Sequence, residues 1–304
     1  MVEAPEINPV KALLALPLIA VFLGTQQDPA FKLDINVDLV ELHVTVTDGP
    51  QRSVGGLSKE HFKLYENRIP QEISVFRQED LPISLGLVID NSRSIESRKQ
   101  RLDTAAVTFV RQSNPEDESF IIHFDDEARV STEFTSSISG LETTLAGVKP
   151  FGQTAIYDAV ILAVDKMESA KHQKKALLLI TDGVDNVSKR TLDEAIESVR
   201  RSKVALYTVG LLSVSGGDKA ETSLVQLAEA SGGRAYFPSN VEQAATMIGQ
   251  VARDLREQYT IGYFSTDPNR DGAWRSVRVE IAPPPGFPQK LNANYRYGYY
   301  GPEQ

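Results

Sequence analysis

The chain contains no cysteine among its 304 residues. It can therefore form no disulfide bond, no thiolate metal site and no thiol nucleophile, and it lacks the cysteine on which a lipid anchor would be attached. Histidine is also scarce, with four residues scattered along the chain, and no H-E-x-x-H motif is present. These absences exclude thiol chemistry and leave the common zinc-enzyme motifs unsupported.

Basic residues are also fewer than acidic ones. The 32 Lys and Arg residues are outnumbered by 41 Asp and Glu residues, which gives a formal net charge of −9 and an isoelectric point near 5.1. Because no basic stripe is present, we do not expect a nucleic-acid partner. G-x-S-x-G and G-x-x-x-x-G-K-S/T are also missing, so the sequence does not support the common hydrolase and nucleotide-binding interpretations.

No apolar run is long enough for a transmembrane helix. The run ALLALPLIAVFLG, residues 12–24, has the length of the apolar core of a secretory signal peptide. The preceding acidic residues Glu3 and Glu6 are atypical of such a peptide, and a short buried helix or a start codon placed upstream of the true one are the alternatives. We expect residues 1–30 to be a signal peptide or N-terminal hydrophobic segment of a protein exported to the periplasm, the cell surface or the medium.

The remaining chain divides by its hydrophobic periodicity. Residues 82–256 alternate short apolar runs with amphipathic helical segments, a pattern typical of a doubly wound, mostly parallel sheet. Residues 31–81 and 257–304 alternate with a period of two, which predicts strands. Because the three C-terminal strands alone would be marginally stable, we predict that both flanks pair into one small all-β module beside an α/β domain.

The most informative stretch is LGLVIDNSRS, residues 85–94. Its apolar part predicts a buried parallel strand, and ligands of open α/β sheets bind at the carboxyl ends of such strands. Asp90, Ser92 and Ser94 follow at that end. One carboxylate and two hydroxyls form an all-oxygen set, which suits Mg²⁺, Mn²⁺ or Ca²⁺.

Two later segments add oxygen ligands. A second apolar strand, KALLLITDGVD at residues 175–185, leads into Asp182, and Thr154 stands near the start of a predicted helix. The order D-x-S-x-S, then Thr, then Asp after a buried strand resembles the von Willebrand factor A domain with its metal-ion-dependent adhesion site. The resemblance implies that Asp90, Ser92, Ser94, Thr154 and Asp182 hold the metal.

The flanking segments extend the resemblance to nearly the whole chain. A β segment, the A-type domain, then LREQYTIGY at residues 255–263 and a terminal RYGYY resemble bacterial proteins called VWFA-related, many of them from acidobacteria. Arg93 departs from the usual pattern, in which a small residue, often Gly, stands between the two serines. Arg93 could shade the site or contact an acidic partner.

The resemblance also implies a function. In this family the cation, Mg²⁺ or alternatively Mn²⁺ or Ca²⁺, bridges to a Glu or Asp carboxylate of a partner protein, and no bond is made or broken. We therefore expect a non-enzymatic binding module with an unknown protein partner. Asp158 lies one turn after Thr154; it is either a carboxylate that orients the loops beneath the site or an ordinary acidic residue at a helix N-terminus.

Two other interpretations remain open. One is a structural envelope module with a vestigial site. The other is a Mg²⁺-dependent phosphohydrolase, a chemistry that usually needs a D-x-D pair after the first strand. Ser92 stands at the position of the second acid, which argues against the enzyme.

Overall fold

The computed structural model describes Met1 and residues 39–49, 52–211, 217–288 and 290–303. Most of the predicted export segment, residues 2–30, lies outside the described residues, as does the start of the N-terminal β segment, residues 31–38. Across the described ranges, none of the helices is both long enough and apolar enough to cross a membrane.

Strands and helices alternate between two all-β flanks. In chain order the strands are β1 (Leu39–Asp48), β2 (Arg52–Ser53), β3 (Phe62–Glu66), β4 (Ile69–Gln71), β5 (Ile73–Arg77), β6 (Ile83–Asp90), β7 (Glu118–Phe124), β8 (Ala128–Thr135), β9 (Lys174–Thr181), β10 (Ala205–Gly210), β11 (Ala235–Tyr236), β12 (Tyr259–Phe264), β13 (Trp274–Ile281), β14 (Asn292–Asn294) and β15 (Gly298–Tyr300). The α-helices are α1 (Lys99–Arg111), α2 (Ile138–Gly147), α3 (Ile156–Lys166), α4 (Leu192–Arg201), α5 (Gly217–Ser231) and α6 (Val241–Glu257).

The central sheet has six strands in the order β11-β10-β9-β6-β7-β8. All neighbours are parallel except the edge strand β8, which is antiparallel to β7. Every residue of β6 and β7 is buried, as expected for strands that are covered on both faces.

Helices cover both faces of this sheet. Apolar side chains of α1, α2 and α6 pack with one set of strand residues, and those of α3, α4 and α5 pack with the alternate set. Successive strand residues point to opposite faces, so each central strand contributes to both cores. The predicted doubly wound, mostly parallel architecture is confirmed.

The flanking segments form a β-module of two antiparallel sheets. One sheet has the order β14-β1-β12-β5 with β2 beside β1, and the other has the order β15-β13-β3-β4. Each sheet contains strands from before and from after the α/β domain, and their buried residues form one hydrophobic cluster. The expectation that both ends of the chain build one β-module is therefore confirmed.

The alternation of apolar and polar residues over 291–299 predicts a single last strand, but the structure has two strands there, in different sheets. β14 pairs with β1, whereas β15 pairs with β13. Between them Tyr295 is buried, and its hydroxyl accepts a hydrogen bond from the Val279 N–H at 2.8 Å. The chain bends because this side chain enters the core of the module, a tertiary contact that the alternating sequence pattern does not reveal.

Buried polar contacts connect the module to the α/β domain. Gln258 is 4% exposed, and its amide donates to Thr45 of β1 and to the hydroxyl of Tyr207 of β10, each at 3.2 Å. Asp254 of α6 is fully buried and accepts hydrogen bonds from Ser53 of β2 and from Tyr236 of β11. Since buried polar groups need partners, these contacts fix the position of the module.

Gly86 provides a test of the packing at the centre of the sheet. A Cβ atom at this position would lie 2.4 Å from side-chain atoms of both Leu177 and Phe120. We expect Gly86→Ala to lower the free energy of unfolding by about 1–3 kcal/mol, the usual cost of overpacking a core. Urea denaturation measures this change.

Gly147→Ala is the matched control, because a Cβ atom there would meet nothing within 4 Å. We expect this variant to be as stable as wild type or slightly more stable, since alanine is the better helix former. Equal stability of the Gly86→Ala variant and wild type would contradict the packing described here.

Candidate functional site

The predicted metal ligands lie at the carboxyl edge of the central sheet. Strands β6 and β9 are parallel neighbours, with Ile89 paired to Ile180, so Asp90 at the end of β6 and Asp182 just after β9 reach the same edge. Asp90 and Ser92 are each 1% exposed, and Asp182 is 7% exposed. The register of two buried strands therefore brings together residues that are 92 positions apart in the sequence.

The two serines and Asp182 form a continuous chain of hydrogen bonds. The hydroxyl oxygens of Ser92 and Ser94 are 2.9 Å apart, and the Ser94 hydroxyl donates to Asp182 Oδ1 at 2.7 Å. Asp90 joins this chain through the Ser92 N–H, which donates to Asp90 Oδ1 at 2.8 Å. The structure therefore connects four of the five predicted ligands directly.

Thr154 lies beside the loop that carries Asp182. Its N–H donates to Asn186 Oδ1 at 2.9 Å, and a Cβ atom at Gly183 would lie 3.2 Å from the Thr154 hydroxyl oxygen. Thr154 is 4% exposed. Gly183, the residue after Asp182, has no side chain, and this leaves room for the Thr154 hydroxyl beside it.

Asn91 holds two of these loops together, a role that the sequence analysis missed. Its side-chain amide donates to the Lys149 carbonyl at 2.7 Å, and its backbone carbonyl accepts from the Phe151 N–H at 2.8 Å. The loop after β6 is thereby fixed to the loop that carries Thr154. The sequence signal was weak, because an asparagine after a strand is usually only a turn residue.

Thr181 and Arg98 were also missed. The Thr181 hydroxyl donates to Asp90 Oδ2 at 2.5 Å, so both oxygens of Asp90 have a donor. The Arg98 guanidinium lies 2.7 Å from Asp182 Oδ2, so both oxygens of Asp182 have a donor as well. Neither residue belongs to the D-x-S-x-S, Thr, Asp pattern, which explains why sequence reasoning passed over them.

Asp158 contacts the loop after β9 and not the five predicted ligands. Its two carboxylate oxygens accept the N–H groups of Lys189 and Arg190, both at 2.9 Å. Asp158 therefore holds the far end of the segment that begins at Asp182. Asp185 and Ser188 of the same segment accept the Tyr157 N–H, each at 3.1 Å, and so cap the first turn of α3.

Burial sets the electrostatics of the site. Burial raises the pKa of Asp90 from 3.8 to about 6, and the hydrogen bonds from Ser92 and Thr181 oppose that rise only in part. The negative charge of Asp182 raises the pKa further. Two carboxylates held near each other at low exposure favour a positive charge between or beside them.

The donor set fits a hard cation. In the described ranges no cluster of three His, Cys, Asp or Glu side chains could hold a metal ion, so any cation here depends on hydroxyl oxygens. The 2.9 Å separation of the Ser92 and Ser94 oxygens is close to the roughly 3 Å expected between neighbouring ligands of octahedral Mg²⁺. Hydroxyl and carboxylate oxygens are the ligand types that Mg²⁺ and Mn²⁺ prefer.

Comparison with known proteins identifies the fold of this region. The family model of the von Willebrand factor type A domain matches residues 85–184. Human inter-alpha-trypsin inhibitor heavy chain H4 is 25% identical over 205 residues, which are 61% of this chain and 22% of that protein. The chain therefore spans about a fifth of the length of this relative.

Solved structures show the same architecture. Proximal thread matrix protein 1 from the mussel byssus, solved with a zinc-occupied MIDAS motif, matches with a TM-score of 0.52 at 17% identity, over 64% of this chain and 50% of that chain. The von Willebrand factor domain of the type V pili tip protein Mfa5 from Porphyromonas gingivalis matches with a TM-score of 0.50 at 13% identity, over 57% of this chain and 95% of that chain. At such identities the likeness establishes the fold alone.

The raised pKa of Asp90 predicts a distinctive pH dependence of stability. The folded protein retains a proton on Asp90 up to about pH 6, whereas the unfolded chain releases it near 3.8. As pH rises from about 4 to 6, metal-free wild type should therefore lose stability relative to Asp90→Asn, by about 1–3 kcal/mol. Denaturant unfolding in a chelating buffer at several pH values measures this difference.

Comparing Asp90→Asn with wild type cancels the contribution of the other buried titratable groups to the pH dependence of stability. Burial lowers the pKa of His43 and of His123 to about 4, but both histidines are present in both proteins and cancel in the difference. Asp165→Asn, at an exposed position of α3, removes a carboxylate away from the site and is the control. A difference between Asp90→Asn and wild type that stays constant with pH would contradict the prediction.

Proposed function

The chain contains a von Willebrand factor type A domain, and we propose that this domain binds Mg²⁺, or alternatively Mn²⁺ or Ca²⁺, and through it a carboxylate of a partner protein. The observation that carries the proposal is the hydrogen-bonded chain of Ser92, Ser94 and Asp182. It places two neutral hydroxyls and a carboxylate at one edge of the sheet, next to Asp90 and to the loop of Thr154.

The mix of neutral and charged donors determines what the cation can do. Ser92, Ser94 and Thr154 offer hydroxyl oxygens that carry no charge, and Asp90 and Asp182 supply the negative charge directly or through water. Mg²⁺ retains water readily and needs near-octahedral geometry. A cation held in this way keeps enough positive charge to attract an anionic ligand from outside, and a protein carboxylate is such a ligand.

An exposed aromatic side chain beside the site supports a protein partner. Phe151 is 59% exposed, although its N–H is fixed to the Asn91 carbonyl. A large apolar side chain held at the surface next to the proposed site is available to pack against a protein partner. The partner would therefore contact Phe151 while its carboxylate reaches the cation.

Export is part of the proposal. The apolar run at residues 12–24 has the length of a signal-peptide core, and one similar structure belongs to a pilus tip protein. The similar mussel protein has zinc in its MIDAS motif, which supports a divalent cation at the matching edge of the sheet. We infer binding without catalysis, because Ser92 replaces the second acid of a D-x-D phosphohydrolase.

Calorimetric titration with Mg²⁺ and Mn²⁺ tests the metal site. We expect saturable binding of one cation per chain, and we expect Asp90→Asn to bind about tenfold to a hundredfold more weakly, the usual loss when a metal-site residue is changed. Asp165→Asn removes an exposed carboxylate from α3 and should bind as wild type does. Equal binding by Asp90→Asn and wild type would rule out the proposed site.

Thr154 can be tested separately through thermal unfolding. Valine has nearly the shape of threonine but no hydroxyl, so Thr154→Val should reduce the rise in Tm that millimolar Mg²⁺ produces in wild type. Thr143→Val is the matched control, because Thr143 is an exposed threonine that donates to the Ser139 carbonyl at 2.8 Å. If the Thr154→Val protein gains as much from Mg²⁺ as wild type, Thr154 is not a ligand.

A further inference from the structure

Asp182 is the only predicted ligand whose carboxylate is paired with a cationic side chain within the described residues. Arg98 Nη1 lies 2.7 Å from Asp182 Oδ2, while Ser94 donates to the other oxygen. The Asp182 side chain is 1% exposed, and the Arg98 side chain is 37% exposed. The carboxylate is therefore buried and the guanidinium reaches it from the surface.

The backbone fixes Arg98 in this position. Arg98 immediately precedes α1; its N–H donates to the Ile95 carbonyl at 2.8 Å, and its own carbonyl accepts from Leu102 at 3.1 Å. The 3₁₀ turn Arg93–Ile95, which contains Ser94, lies just before it. The same short segment thus carries one proposed hydroxyl ligand and the cation that neutralises Asp182.

We propose that Arg98 sets the net charge of the metal site and thereby makes the bound cation dependent on an external carboxylate. This inference rests on the proposed metal-binding function. Asp90 and Asp182 together carry two negative charges, and Arg98 compensates one of them. A divalent cation bound here consequently keeps a net positive charge, which a partner's Glu or Asp carboxylate cancels.

The charge balance predicts opposite effects on the two binding steps. Removing the guanidinium charge leaves both carboxylates uncompensated, so the site should bind a divalent cation more tightly. The resulting complex would be neutral and should attract an added carboxylate less strongly. A residue that only positioned Asp182 would weaken both steps when it is changed, so the two roles can be separated.

Arg98→Gln is the variant that isolates charge, because glutamine can still donate a hydrogen bond to Asp182. In the full chain we expect Mn²⁺ to bind about tenfold more tightly to Arg98→Gln than to wild type in calorimetric titration. Acetate is the carboxylate probe, and its displacement of water from the Mn²⁺ complex is followed by water proton relaxation. We expect acetate to bind the variant complex about fivefold more weakly.

Two further variants control the experiment. Arg98→Lys keeps the charge and should restore both affinities to within about twofold of wild type. Arg101→Gln changes an arginine of α1 whose partner is the exposed Glu242, at 3.4 Å, and should leave both affinities unchanged. Melting curves of the metal-free variants establish that each one is folded.

The outcomes separate this inference from the proposed function. If wild type binds Mn²⁺ but Arg98→Gln shows unchanged or weaker Mn²⁺ binding, the assignment of Arg98 is overturned and the metal site stands. If wild type binds no Mn²⁺, or its Mn²⁺ complex binds no acetate, the proposed function and this inference both fail.

Discussion

The parallel register between β6 and β9 is the constraint on which the candidate site depends. Pairing of Ile89 with Ile180 places Asp90 next to Thr181, and the hydroxyl of Thr181 then donates to Asp90. A shift of either strand by one residue would turn its side chains to the opposite face of the sheet and separate the Thr181 hydroxyl from Asp90. The apolar residues of both strands are buried on two faces, so the cores that stabilise the fold also align the polar residues that follow them.

Burial of two carboxylates at this edge has to be offset by specific donors. Each oxygen of Asp90 and of Asp182 accepts a hydrogen bond, but the pKa of Asp90 is still raised to about 6. Hydrogen bonds from hydroxyl and amide groups lower the cost of the buried charge without removing it. The remaining negative potential is what makes this edge suitable for a cation.

The layers of the fold could be predicted from the sequence because they depend on local signals, whereas the five candidate ligands followed from the resemblance of the D-x-S-x-S, Thr, Asp pattern and stay a prediction. Buried strands appear as apolar runs, and the residues after them fall at one edge by the geometry of parallel sheets. Arg98, Asn91 and Thr181 could not be predicted in the same way. Their partners lie 84, 58 and 91 positions away in the sequence, and only the packed loops bring them together.

The break within residues 291–299 has the same physical origin. The alternating pattern does not hold across the bend, since Tyr295 is buried whereas Tyr297, two residues on, is 50% exposed. The pattern also does not reveal which sheet each half of the segment joins. That choice depends on pairing with β1 or β13, which are separated from this segment by very different distances along the chain.

The position of the β-module relative to the site follows from the chain path. The chain enters the central sheet from β5 at Ile83, the first residue of β6, and leaves it through α6. Near the end of α6, the Leu255 carbonyl accepts a hydrogen bond from the side chain of Lys174, the first residue of β9. Both connections therefore lie at the amino edge of the parallel strands. The module is attached there, so Asp90 and Asp182 lie at the opposite edge of the sheet from both connections.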